Sequence, residues 1–99
     1  MKWLEIIELR SAMSNLALLE SQLQHLLNDL EKEARKHTIT AYSRVMIDND
    51  FSIHLIHDSK NVEKNGSSLG LHLASLLREY GMVNHSVWIE LKSNREIRI

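Results

Sequence analysis

Apolar residues recur along the chain in two rhythms. Trp3, Leu4, Ile6, Ile7 and Leu9 crowd a stretch too short for a helix, which predicts a first strand over residues 3–9. The spacing then lengthens to three and four. Leu16, Leu19, Leu23, Leu26, Leu27, Leu30 and Ala34 form one stripe, with Glu20, Gln24, Asp29 and Lys32 off it. Ser11, Ser14 and Asn15 are candidate N-caps for this helix. Arg35 to His37 place basic groups at its C-terminal dipole.

Between Thr38 and His57 the period falls to two. Ile39, Ala41, Val45 and Ile47 alternate with Thr38, Thr40, Tyr42, Arg44 and Met46, and Phe51, Ile53 and Leu55 alternate with Ser52, His54 and Ile56. Asp48-Asn49-Asp50 carries the residue types of a tight turn, so the pattern predicts a hairpin with Ile47 opposite Phe51, Val45 opposite Ile53 and Arg44 opposite His54. Asp58 to Gly66 is polar and predicts an exposed loop. Ser67 or Ser68 caps a second helix with the stripe Leu69, Leu73, Leu76, Leu77 and Tyr80. Gly81 reads as its C′ glycine, with Met82 in the accompanying hydrophobic contact. Val87 to Leu91 alternates as a last strand.

The order β-α-β-β-α-β in 99 residues predicts one ferredoxin-like α+β domain over residues 1–99. Right-handed crossovers give a four-stranded antiparallel sheet in the order 4-1-3-2 with two helices on one face. The side expected under the helices holds Leu4, Ile6, Ile39, Ala41, Val45, Ile47, Phe51, Ile53, Leu55, Val87, Ile89 and Leu91. The open side is expected to hold Trp3, Glu5, Ile7, Leu9, Thr40, Tyr42, Arg44, Met46, Ser52, His54, Ile56, Trp88, Glu90 and Lys92. That second set is too apolar for a solvated face, and a large apolar patch marks an interface. The expectation is a homodimer paired through the open face.

On this element order and facing pattern, from Trp3 to Leu91, the chain resembles the dimeric α/β-barrel superfamily. The helix-to-strand passage from Ser67 to Val83 is similar in style. The resemblance implies two such sheets stacked face to face. Some members resemble antibiotic-biosynthesis monooxygenases, which oxidise aromatic substrates without a cofactor. No catalytic signature of those enzymes matches residues here, so no family residue is carried over, and fold alone does not give function.

Composition narrows the rest. Twelve Lys and Arg against thirteen Asp and Glu give a net charge of −1, which argues against nucleic-acid binding. With no Cys, disulfides, thiolate metal sites and cysteine nucleophiles are excluded. No run approaches the roughly 18–20 apolar residues of a membrane span, and no secretory apolar region follows Met1, so a cytoplasmic protein is expected.

The candidate catalytic residues are His54, Glu5 and Arg44. A carboxylate beside an imidazole suits proton transfer near neutral pH, and a guanidinium suits an anionic substrate group. Trp3, Ile7, Tyr42, Met46, Ile56, Trp88 and Glu90 are the expected pocket or interface around them. The same residues also describe a polar network inside a dimer interface. His54 and His57 stand three apart on a strand, hence on opposite faces, so no metal site is expected, and nothing implies a cofactor. Three readings stay open: a homodimerising protein of undetermined biochemistry, a cofactor-free small-molecule enzyme of the monooxygenase or isomerase type with its site near His54, and a ligand-binding regulatory module.

Overall fold

The computed structural model describes residues 1–12, 14–33 and 38–91. The basic helix end at Arg35–His37 and the tail from Lys92 to Ile99 lie outside the described residues. Six elements follow in the expected order: β1 (Lys2–Ser11), α1 (Leu16–Glu33), β2 (Thr38–Arg44), β3 (Ile47–Asp58), α2 (Ser68–Leu77) and β4 (Gly81–Ile89). The strands form one sheet in the order β2-β3-β1-β4, antiparallel at every pairing, as the topology rules predict. Among the described residues, no helix is long and apolar enough to cross a membrane.

The helices start where their capping chemistry allows. The Asn15 side chain accepts from the Leu18 amide at 3.1 Å and opens α1. Ser67 accepts from the Gly70 amide at 3.0 Å and opens α2. Leu19, Leu23, Leu27 and Leu30 are the buried stripe of α1, and Leu73, Ala74 and Leu77 that of α2. They close on Ile7, Leu9, Ile39, Phe51, Ile53 and Leu55 from the sheet. Each fully buried aliphatic side chain contributes about 1.5–3 kcal/mol, so this layer is the main source of stability.

The phase of β1 is the opposite of the one its sequence predicts. Trp3, Glu5, Ile7 and Leu9 are buried on the helix side, while Leu4 and Ile6 lie half-buried on the open side. The odd phase buries three large apolar side chains against two, and it keeps Lys2, Glu8 and Arg10 in solvent. Its cost is one buried carboxylate, which is costly only if unpaired. Glu5 is thoroughly paired.

The hairpin also differs. The chain turns at Val45-Met46, two exposed residues between the paired Arg44 and Ile47, and Met46 takes a left-handed φ of 65°. Val45 and Met46 therefore form the turn and Ile47 begins β3, instead of all three alternating within the hairpin as expected. Beyond Ile47 the register jumps, so that Ser43 faces Phe51 and residues 48–50 are extra on β3. The Asp and Asn residues expected to make the turn sit in this bulge instead. Asn49 donates to the Ser11 carbonyl at 3.5 Å, and Asp50 engages two arginines.

Gly81 is not a helix cap. The helix ends at Leu77, with Arg78 as C-cap, and Gly81 begins β4. A Cβ there would sit 2.1 Å from the Arg10 carbonyl oxygen, so close strand approach is what requires glycine.

Candidate functional site

Cross-strand register sorts the open face into rows. Thr38, Ile56, Leu4 and Trp88 form one row, and Thr40, His54, Ile6 and Ser86 the next. Tyr42, Ser52, Glu8 and Asn84 follow, and then Asp50, Arg10 and Met82. One end of the face is thus apolar and the other carries charge. Ile56 is 47% exposed and Trp88 58%, with no second layer over them among the described residues.

His54 lies on this face as expected. Its Nε2 is 3.1 Å from the Ser52 hydroxyl, and its ring meets Tyr42 at 4.8 Å, tilted by 53°. Arg44 is not its partner. The bulge places Arg44 at the strand end, where its Nη1 donates to Asp50 at 3.2 Å. Arg10 donates through Nε to the other Asp50 oxygen at 3.1 Å. The Arg10 hydrogen bond pulls the Asp50 carboxyl below its ordinary value, more than its slight desolvation raises it, and Arg44 adds to the pull. Glu90 is exposed at the edge, and Met46 in the hairpin turn.

A cleft of about 430 Å³ opens at the charged end, with Glu8, Arg10, Tyr42, Arg44, Ser52 and Asn84 among its lining. His54 borders it through Ser52 and Tyr42 without lining it. Sequence reasoning missed Glu8 and Arg10 because of the inverted phase of β1, and Asp50 because it was assigned to the hairpin turn that falls instead at Val45-Met46.

Glu5, Trp3 and Ile7 are absent from this face. Glu5 is fully buried beneath the N-terminus of α2, where its carboxylate takes four hydrogen bonds. His57 Nε2 lies 2.5 Å from Oε2 and His85 Nε2 2.9 Å from Oε1. The Ser67 amide donates to Oε1 at 2.8 Å and its hydroxyl to Oε2 at 2.5 Å. An ionised carboxylate only accepts, so both imidazoles donate through Nε2. Burial pushes the Glu5 pKa up, but the Ser67 hydroxyl and amide, His57 and His85 together hold it below the usual carboxylate value. Trp3 stacks on His57 at 4.0 Å between ring centres and donates to the Ser59 hydroxyl at 2.8 Å.

Two glycines seal this hub. A Cβ on Gly70 would lie 2.1 Å from Glu5 Oε1, and one on Gly66 would lie 2.4 Å from the His85 ring. His54 and His57 occupy opposite faces, as strand alternation requires. Among the described residues, no group of three or more His, Cys, Asp or Glu is placed to hold a metal ion.

Comparison with known proteins gives the fold and no more. No family model matches the chain, and no curated protein matches it. The solved structure of Rv0793 from Mycobacterium tuberculosis is similar, with a TM-score of 0.62 and 16% identity, covering 95% of this chain and 99% of that one. The βαββαβ architecture is therefore one that a solved protein of nearly the same extent shares.

Proposed function

We propose that this chain is the subunit of a homodimer that closes its open sheet face against a second copy. The carrying observation is the contiguous apolar end of that face, where Ile56, Leu4 and Trp88 are cross-strand neighbours and Ile6 adjoins them. An isologous pairing buries this strip against itself. The arrangement is the one implied by the resemblance to the dimeric α/β-barrel superfamily. Sedimentation at micromolar concentration tests it, with a dimer expected. Ile56→Lys, at an exposed position, leaves the fold intact and weakens the dimer by about thirtyfold or more, the scale of a buried interface anchor. A monomeric parent chain, or a variant that dimerises unchanged, overturns the proposal.

A second reading is favoured by the cleft. Its volume of about 430 Å³ falls among ordinary small-molecule sites, which run from roughly 300 to 1,000 Å³. In this reading a partner sheet roofs the cleft, and His54 at its border is the candidate proton carrier for small-molecule chemistry.

A further inference from the structure

The charged end of the open face has a chemical asymmetry that defines a ligand. Asp50 holds two guanidiniums at once, Arg10 Nε on one oxygen and Arg44 Nη1 on the other. The Asp50 side chain is 15% exposed, while those of Arg10 and Arg44 are 66% and 59% exposed. Each guanidinium carries five N–H donors in a fixed plane. One carboxylate therefore orients two cations and leaves most of their donors for another acceptor. Around Asp50 itself, two positive charges stand against one negative.

The rest of the cleft limits what that anion can be. Glu8 lines it too, and its Oε1 accepts from the Asn84 side chain at 3.3 Å. In formal charge, Glu8 and Asp50 match Arg10 and Arg44, so the cleft as a whole does not draw in a polyanion such as a nucleoside triphosphate. Glu8 instead offers an acceptor to a ligand's hydroxyl or amino group. Tyr42 and Met82 also line the cleft, so an aromatic ring and a thioether offer apolar surface to a ligand there.

We propose that the cleft binds a small aromatic carboxylic acid bearing a hydrogen-bond donor, with its carboxylate on Arg10 and Arg44 and its donor directed to Glu8. Guanidinium pairs match carboxylate geometry in two-pronged fashion, which a lysine pair would not. This inference rests on the reading that the cleft accepts a small molecule, and it adds the class.

The test is a titration of the isotopically labelled full chain, followed by amide shifts, with 4-hydroxybenzoate, benzoate and benzamide as probes. 4-Hydroxybenzoate is expected to shift the amides of Tyr42, Ser52 and Asn84, and benzamide to bind at least about tenfold more weakly, the scale of one lost charge-assisted contact. Arg10→Gln and Arg44→Gln, both at exposed positions, each weaken 4-hydroxybenzoate by a similar factor. Glu8→Gln reduces the preference for 4-hydroxybenzoate over benzoate. Benzamide binding as well as the acids overturns the assigned class and leaves the cleft reading standing. No shift with any probe at millimolar concentration overturns both. Repeating the titration on Ile56→Lys separates binding from dimerisation.

Discussion

The two faces of the sheet each hold a carboxylate fixed by several donors, and they use it in opposite ways. Under the helices, Glu5 has every oxygen occupied and two glycine backbones pressed on it. On the open face, Asp50 is held by two arginines that remain largely in solvent. The first arrangement has nothing left to offer a ligand, and its work is to fasten α2 to β1, β3 and β4. The second retains donors at the rim of a cleft. Saturation and sealing separate a purely structural carboxylate from one whose cations keep free donors at the surface.

Removing the hub is expected to have the largest effect. Glu5→Ala strands the Ser67 amide and hydroxyl in a dry site and deprives two imidazoles of their acceptor. Each buried unsatisfied group costs about 1–3 kcal/mol, so a loss of about 3 kcal/mol or more is expected in urea unfolding. That is a large share of the roughly 5–15 kcal/mol available to a domain. Glu5→Gln keeps the shape and one acceptor oxygen, and it loses less. A Glu5→Ala protein as stable as the parent would break the comparison.

Acid has the next effect, and its sign follows from the lowered Glu5 pKa. Between the ordinary carboxylate value of about 4.3 and the lower folded value, the unfolded chain binds a proton that the folded chain does not. The stabilisation is fully present above about pH 5 and is lost as pH falls through the folded value. Urea midpoints between pH 3 and pH 7 should therefore be level at the upper end and drop steeply at the lower, and Glu5→Gln should flatten that drop. Asp50, also lowered, contributes in the same direction from the surface, where solvent and salt weaken its share.

The smallest effect is expected from Asp50→Asn. Exposed ion pairs add little to stability, so the denaturation midpoint should stay close to that of the parent. The variant sharpens the contrast through its binding behaviour, because both guanidiniums lose the group that orients them.

Most of the fold is legible in the sequence, and the candidate site only in part. The leucine stripes of α1 and α2 report 3.6-residue burial directly, and Phe51, Ile53 and Leu55 give β3 its phase. Lys2–Ser11 is apolar on both faces, so its alternation does not decide between them. The one charged residue among its odd positions argues for exposure, yet its partners at positions 57, 67 and 85 are visible only once the chain is folded. That single phase moved Glu5 and Trp3 away from His54 and brought Glu8 and Arg10 to the open face. The hairpin failed for a different reason. Its tightest point falls on Val45 and Met46, and a methionine at φ 65° carries no residue-type signal of a turn.

The bonds of Glu5 also set an order of events. Its partners follow it by 52, 62 and 80 residues. β1 is synthesised before both of its partners, lies second from one edge of the finished sheet, and pairs with β3 and with β4. Through most of synthesis the opening strand therefore has apolar residues on both sides and a carboxylate with no donors. A nascent chain of this protein depends on β3, α2 and β4 to shield what Lys2–Ser11 exposes.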